Sequence, residues 1–425
     1  MADTRTRRDF FRDSLAGSAL LVGTAAGTTA LPALGQSAPS GTGAAERDYW
    51  AMVRAQFAFI EDAVPMNAAN LCPSFRGVAS AVADLTADID RDCSFNNRAK
   101  FNDLREATRS RVAAQLGVDA DEIALVRNTS EANNLINAGL DLRPGDEVLL
   151  WDQNHQTNNV AWDVRAARYD IRVRRVSTPV KPASPQALVD AFVANLRPGT
   201  KALSVSHVSN VSGVKLPIRD IVAAAKARDI YVHLDGAQTW GAMALDLRDL
   251  GVDSYAASAH KWYMGPKEVG LLYIAKRNHD RVWPAVVAPG WGDDAATDLV
   301  GARKFESLGQ RDDAALAALG VAAELHDTIG AARIEARITQ LTQRLKEGIA
   351  EAGLELVTPM SEDVSFGIGI TRAPREGRGA VLGALYERHG IAGAPTGGIR
   401  LCPHIYNSEE HVDRAVAAVR AELSA

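Results

Sequence analysis

Residues 252–266, VDSYAASAHKWYMGP, decide the architecture. The first seven, VDSYAAS, have the length of a strand, with Val252 and Tyr255 and no Gly or Pro inside. The strand runs out into Ser258, His260 and Lys261, just before a Gly-Pro turn. Upstream, short apolar runs alternate with segments of helical period. EIALVR (122–127), DEVLLW (146–151), IRVRRV (171–176), KALSVS (201–206) and IYVHLD (230–235) read as strands. TSEANNLINAGL (129–140), NNVAWDVRAARY (158–169), PQALVDAFVANL (185–196) and IRDIVAAAKARD (218–229) read as helices between them. EVGLLYI (268–274) is a further strand downstream. Such alternation predicts an α/β large domain, a mostly parallel seven-stranded sheet flanked by helices. From about 312 the chain turns helix-rich, with shorter strands expected in DVSFGIGIT (363–371) and GGIRLCP (397–403), which predicts a smaller C-terminal α+β domain. The expected divisions are an export signal at 1–38, an N-terminal segment at 39–70 packing with the small domain, a large domain at 71–310 and a small one at 311–425.

The first residues stand outside that pattern. Arg7 and Arg8 precede Phe10 and Phe11, residues 14–31 carry no charge, and small residues follow around 33–38. That layout predicts a twin-arginine export signal, and hence a periplasmic or otherwise exported protein served by the twin-arginine machinery. An uncharged stretch does not fit a basic amphipathic helix. In the mature chain no apolar stretch reaches the length of about twenty residues that a span requires. A net charge of −5 gives no electrostatic case for nucleic acid or an anionic membrane. Cys72, Cys93 and Cys402 fit no metal spacing. They are either free or buried thiols, or one disulfide with a thiol left over.

In an open parallel sheet, ligands sit beyond the carboxyl ends of the strands. Five successive exits are rich in hydroxyls, amides and histidine: 127–131, 152–155, 206–210, 235–238 and 258–261. They read as one pocket. Thr129 and Ser130 open a helix, where they either cap it or help bind a phosphate. No G-x-G-x-x-G occurs, so a monophosphate fits better than a dinucleotide, and no G-x-S-x-G marks a serine hydrolase. Asp235 is followed by Gly236 and Ala237, small enough for a flat ring to approach. A carboxylate there can hold a pyridine nitrogen protonated, which makes the ring an electron sink. Lys261 can then join the ring's aldehyde, provided burial or a neighbouring cation keeps part of it neutral. Strand alternation would put Ser258 and His260 on one face and Lys261 on the other.

These segments resemble the class V aminotransferase family of pyridoxal 5′-phosphate (PLP) enzymes, which have fold type I. HLDGAQ and SAHKWYMGP, with Asp235 and Ser258 twenty-three residues apart, are similar to the family's cofactor segment. RNTSEANNL resembles its phosphate turn, NHQTNNVAW the segment of its ring-stacking histidine, and SHVSNVSGVKLPI the one carrying an asparagine near the ring hydroxyl. The resemblance implies PLP as cofactor, with Lys261 as the amine bound to it and later a proton shuttle. It implies Asp235 at the pyridine nitrogen, His155 over the ring, and Gln238 and Asn210 near the hydroxyl. It implies Thr129, Ser130, Ser258 and His260 around the phosphate, and Arg400 for a substrate carboxylate, with Asn67 in an early active-site loop. A domain-surface salt bridge remains the competing reading of Arg400, a plain satisfied histidine that of His155, and a turn residue that of Asn67. A homodimer with active sites at the subunit interface is implied too.

Two departures from the family pattern narrow the reading. Gln310, in FESLGQRDD, stands where relatives send a threonine into the neighbouring subunit's phosphate site. The stretch HGIAGAPTGGIR (389–400) lacks the nucleophilic cysteine of cysteine desulfurases. Persulfide chemistry is therefore not expected, and the chain resembles the isopenicillin N epimerase-like branch. Exported members of that branch resemble siderophore-tailoring enzymes of the pyoverdine type. The expected function is an exported PLP enzyme acting on an amine beside a carboxylate, with a glutamyl group on a siderophore peptide as substrate. The alternatives are an aminotransferase, epimerase or C–S lyase of a free amino acid, and a non-catalytic binder of PLP or an amino acid.

Overall fold

The computed structural model describes residues 43–288 and 301–424. The expected export signal lies outside the described residues. After a two-residue strand β1 (Val64–Pro65), the central sheet takes β2 (Ile123–Val126), β3 (Glu147–Trp151), β4 (Arg172–Val176), β5 (Thr200–Ser206), β6 (Tyr231–Asp235), β7 (Ser254–Ser258) and β8 (Gly270–Ile274). Their order in space is β2-β8-β7-β6-β5-β3-β4. The run from β4 to β7 is parallel. β8 is antiparallel to both β7 and β2, so β2 points the same way as the parallel strands. The expected mostly parallel seven-stranded α/β sheet is the one observed.

Both faces of this sheet are covered, which is why its strands read as near-continuous apolar runs. Val232 and Leu234 of β6 enter one core with Ile123, Leu125 and Leu203. Tyr231 enters the other, with Ala124, Val126, Ala256 and Leu272 and with Leu135 and Ile136 of the Thr129–Gly139 helix. Strand periodicity then places His233 and Asp235 on the face of Tyr231, toward that helix.

The outer edge of β2 is closed by side chains. Leu125 donates its N–H to Glu306 and accepts from Arg311 through its carbonyl. Glu306 also pairs with the buried guanidinium of Arg109. An edge left bare would invite pairing with another chain.

In the C-terminal part, β9 (Gly369–Thr371) pairs antiparallel with β11 (Ile399–Leu401), and β1 pairs parallel with β10 (Ile391–Ala392). Helices Ala331–Glu351, Arg378–His389 and Glu409–Ser424 pack around them, with Leu341, Leu345, Leu385, Val412 and Val419 in a core of their own. The strand expected over 363–371 is confined to its last three residues. Its first half is held by the large domain instead: Lys215 donates its N–H to the Val364 carbonyl at 2.9 Å and Phe366 to Gly213 at 3.2 Å. Two helices, Ala44–Arg54 and Arg76–Arg91, lie outside the segments read as helical from the sequence. The first buries Tyr49 and Trp50 under the guanidinium groups of Arg333 and Arg337, at 4.6 and 5.6 Å from the ring centres.

Candidate active site

Strand register brings the carboxyl ends into one rim. Ser206 lies beside Asp235, and Asp235 beside Ala256. Gly270 of β8 faces Ser258 on one side and Val126 on the other. A Cβ at Gly270 would stand 2.5 Å from the Ala257 carbonyl oxygen and 2.9 Å from the Asn128 Cα. Only a residue without a side chain lets the turn after β2 close onto the end of β7. Thr129 therefore reaches Ser258: its N–H donates to the Ser258 Oγ at 2.8 Å, and the two hydroxyls lie 2.7 Å apart. The helix cap is Asn128, whose Oδ1 accepts from the Glu131 N–H at 3.0 Å, so Thr129 is free for this second duty. Ser130 is exposed at the same helix start. Hydroxyls at a helix N-terminus make a site for an anion.

Asp235 ends β6 with both oxygens engaged. Oδ1 accepts from the Ala237 N–H at 3.0 Å and Oδ2 from the Asn133 side-chain amide at 2.9 Å. Asn133 in turn meets His233. The sequence reading missed both, though His233 stands two positions before Asp235 on the same strand face. Gly236 leaves room for Tyr255, whose ring carbons and hydroxyl would lie 1.9–2.2 Å from any Cβ there. That ring packs behind the Asp-Gly turn and its hydroxyl meets Thr239 at 3.0 Å.

Lys261 is half-buried, not a free surface charge. Desolvation pushes its pKa down, the Arg400 charge adds to this, and Asp235 opposes both. His155 is lowered as well, by burial first and then by the positive charges of Lys261 and Arg400, again against Asp235. Asp235 and Arg400 thus both act on Lys261 and on His155 through their charges. The His155 Nδ1 accepts from the Thr157 N–H at 3.3 Å, which leaves the ring proton on Nε2.

Arg400 is 4 % exposed. It donates to the Asn210 carbonyl at 3.0 Å and to the Asn67 Oδ1 at 3.0 Å, so it makes no surface salt bridge. Gln238 is fixed beside them, donating to the Ala69 carbonyl at 3.2 Å and accepting from the Trp262 indole at 2.8 Å. Trp262, next to Lys261, is a further positioning residue that the sequence reading passed over. Two buried polar atoms here have no partner: the Arg400 Nε and the Asn210 Oδ1. Buried groups of this kind are normally satisfied, and an anionic substrate group and a ring hydroxyl would satisfy them. With a carboxylate, an amine and an anion cradle on one rim, the donor set fits PLP. Lys261 would bind its aldehyde carbon, Asp235 its ring nitrogen, and Thr129 and Ser258 its phosphate.

Two expectations need correction or restriction. β7 ends at Ser258, and the chain then turns, with Gly265 donating to Ala259 and Met264 to Lys261 at 2.8 and 2.9 Å. Strand alternation therefore sets Ser258, but not where His260 and Lys261 point. The His260 Nδ1–H is committed to the Lys267 carbonyl at 3.0 Å, and burial lowers this histidine to about 4. It can donate to a phosphate only through a second proton on Nε2, which the phosphate's own charge would favour. Gln310 is exposed, bonded to Arg98 at 2.9 Å and to the Arg311 carbonyl at 3.0 Å, so its amide lies at the surface of this chain. The cysteines are free thiols. Among the described residues no side-chain cluster could hold a metal ion, and no helix is long and apolar enough to cross a membrane.

Comparison with known proteins agrees with this geometry. The family model "Aminotransferase class-V" matches residues 83–369. An isopenicillin N epimerase from Streptomyces clavuligerus is 32% identical over 74% of this chain and 83% of its own length. Another, from Amycolatopsis lactamdurans, is 30% identical over 88% of this chain and 98% of the relative. A cysteine desulfurase from Pectobacterium atrosepticum is 27% identical over 76% and 83%. Among solved structures, the cystine C–S lyase C-DES, in a mutant with glycine covalently linked to its PLP cofactor, superposes with a TM-score of 0.79 at 24% identity, covering 86% of this chain and 98% of that one. The apo cysteine desulfurase from Thermococcus onnurineus NA1 gives 0.77 at 23%, over 88% and 97%. The two structures share the fold, the family model covers most of the large domain, and the rim residues suit the cofactor: this chain belongs to the class V aminotransferase family of PLP-dependent enzymes.

Proposed function

We propose that this enzyme moves a proton at the α-carbon of an amino group next to a carboxylate, as an exported homodimer. The observation that carries the proposal is Arg400: a buried guanidinium held by two fixed oxygens, its Nε unpartnered, within electrostatic reach of Lys261. Arg400 grips the substrate carboxylate through charge-assisted hydrogen bonds, which places the α-carbon beside Lys261. Burial lowers the pKa of Lys261, which favours its neutral form, the one able to accept a proton and return it. His155, neutral for the same reason of burial, presents an Nε2–H without adding a competing charge. Bound PLP supplies the electron sink for negative charge at the α-carbon.

Proton transfer is favoured over desulfuration because the buried thiols are poor nucleophiles. Burial pushes Cys72 up to about 12 and raises Cys402 as well, and the segment leading to Arg400 holds no cysteine. Export is supported by Arg7-Arg8 and the uncharged stretch behind them. A glutamyl group on a siderophore peptide of the pyoverdine type is the proposed substrate, on the strength of that signal together with the missing cysteine in the segment leading to Arg400. Incubation of the holoenzyme in D2O with amino acids and siderophore peptides tests it. Deuterium at the α-carbon, absent with Lys261→Ala, is the expected result. Sulfide release would reassign the enzyme as a lyase, and no exchange with any substrate would sink the proposal. Cell fractionation of an Arg7→Lys, Arg8→Lys variant tests export, with retention in the cytoplasm expected.

A further inference from the structure

We propose that Asn133 and His233 are positioning residues that hold Asp235 in one orientation toward the cofactor's ring nitrogen. A buried chain of four side chains ends on this carboxylate. Ser254 Oγ lies 2.7 Å from the His233 Nδ1, and the His233 Nε2 lies 2.9 Å from the Asn133 Oδ1. The Asn133 Nδ2 then lies 2.9 Å from the Asp235 Oδ2. All four residues are 3 % exposed or less.

The direction of every proton in the chain follows from its end. A carboxylate accepts, so Asn133 must turn its NH2 toward Asp235; the reverse would set two oxygens against each other at 2.9 Å. The Asn133 Oδ1 therefore faces His233 and requires the imidazole proton on Nε2. The His233 Nδ1 is then an acceptor, and Ser254 donates to it. Burial lowers His233 to about 4, with the Asp235 charge opposing, so the ring stays neutral and its single proton stays on one nitrogen. Each dipole thus points at the carboxylate, an arrangement in which successive hydrogen bonds strengthen one another.

This chain crosses a sheet face that holds a second buried polar pair, Ser204 with Asn158, amid apolar side chains. Tyr231, two residues earlier on β6, lies in the core with Leu135, Ile136 and Ala256. A branched aliphatic in place of His233 would leave the buried Asn133 Oδ1 and Ser254 Oγ without this partner. What the polar chain adds is a fixed plane for the Asp235 carboxylate. With Ala237 on Oδ1 and Asn133 on Oδ2, the carboxylate cannot rotate, and the remaining lone pairs stay available to a ring N–H.

The proposal rests on PLP as the cofactor, and the test separates the two. PLP is titrated into apo protein for the wild type, Asn133→Leu, His233→Leu and His233→Gln. The dissociation constant and the pH midpoint of the bound cofactor's absorption band are read for each. Asn133→Leu is expected to weaken PLP about tenfold and to move the absorption midpoint. His233→Leu moves both in the same direction by less. His233→Gln, whose amide can donate to the Asn133 Oδ1, returns both toward wild type. Wild-type values in both leucine variants would overturn the proposal, as would a glutamine variant no better than the leucine one. Should Asn133→Leu not fold, the His233 pair alone decides. A wild type that takes up no PLP would overturn the cofactor assignment itself, and this proposal with it.

Discussion

Gly270→Ala should detach the anion cradle without dismantling the sheet. The new Cβ would meet the Ala257 carbonyl oxygen at 2.5 Å and the Asn128 Cα at 2.9 Å, both backbone atoms. Carbon–oxygen and carbon–carbon contacts settle at roughly 3.3–3.8 Å, so a backbone must retreat by about 0.8 Å. Ala257 lies inside β7, paired with Leu271 of β8, whereas Asn128 lies in a turn. The turn gives way. A shift of that size takes the Thr129 N–H from 2.8 Å to beyond hydrogen-bond range of the Ser258 Oγ. Overpacking costs about 1–3 kcal/mol of stability. A lost or lengthened hydrogen bond to a charged phosphate costs about 1.5–3 kcal/mol of cofactor binding, which is about 10- to 100-fold in Kd. The assay is PLP titration of apo protein followed by absorbance, beside thermal melting. Gly379→Ala is the control: it lies in the Arg378–His389 helix, with no atom within 4 Å of its Cβ position. That variant should bind PLP normally and gain up to about 1 kcal/mol. A stable Gly270→Ala protein with wild-type PLP affinity would refute the claim that this close approach builds the phosphate site.

Arg400→Lys keeps the charge and loses the planar fork. It should weaken binding of carboxylate substrates about 10- to 100-fold while PLP affinity holds, as read by substrate titration of the cofactor band. Acid should destabilise the fold through four buried histidines: burial lowers His207 and His404 to about 3, and His233 and His326 to about 4. The unfolded chain takes up these protons near 6.5 and the folded chain does not. Stability present above 6.5 is therefore lost as pH falls toward 4, by up to about 1.4 kcal/mol per pH unit for each site. A melting temperature that is flat from pH 6.5 to 4.5 would contradict this. Glu306→Gln leaves the buried Arg109 with Glu106 alone and weakens the cover on β2. A loss of about 2–4 kcal/mol in urea unfolding is expected, with PLP affinity little changed.

The rim was legible because strand exits carry chemistry in a recognisable order. Asp235, Lys261 and His155 could be named from residue type and place, since a pocket at the carboxyl edge gathers whatever follows each strand, whereas Arg400, inside β11, was indicated only by the family resemblance. The direction of β8 was also within reach. Only Ala259–Val269 separate it from β7, too few residues for the crossover that a parallel neighbour requires. The helix Ala44–Arg54 was harder. Its Tyr49 and Trp50 are buried by Arg333 and Arg337, partners nearly three hundred residues away, which local pattern does not reveal. The truncated strand at 363–371 fails for a similar reason: alternation was present, but the loop around Gly213 took its hydrogen bonds. Asn133 went unnoticed because a polar residue inside a helix reads as solvent-facing until the strand it touches is known.

The placement of β2 bears on how the protein is made. Thr129 and Ser258, 129 residues apart, meet only because β8 comes between their strands as a shared neighbour. During synthesis, β2 leaves the ribosome long before β8 exists to receive it. A newborn chain must wait for its last central strand before the vitamin pocket can take shape. Capture of the vitamin then becomes a late event of maturation, and scarcity of it would leave the outermost strand the least firmly seated.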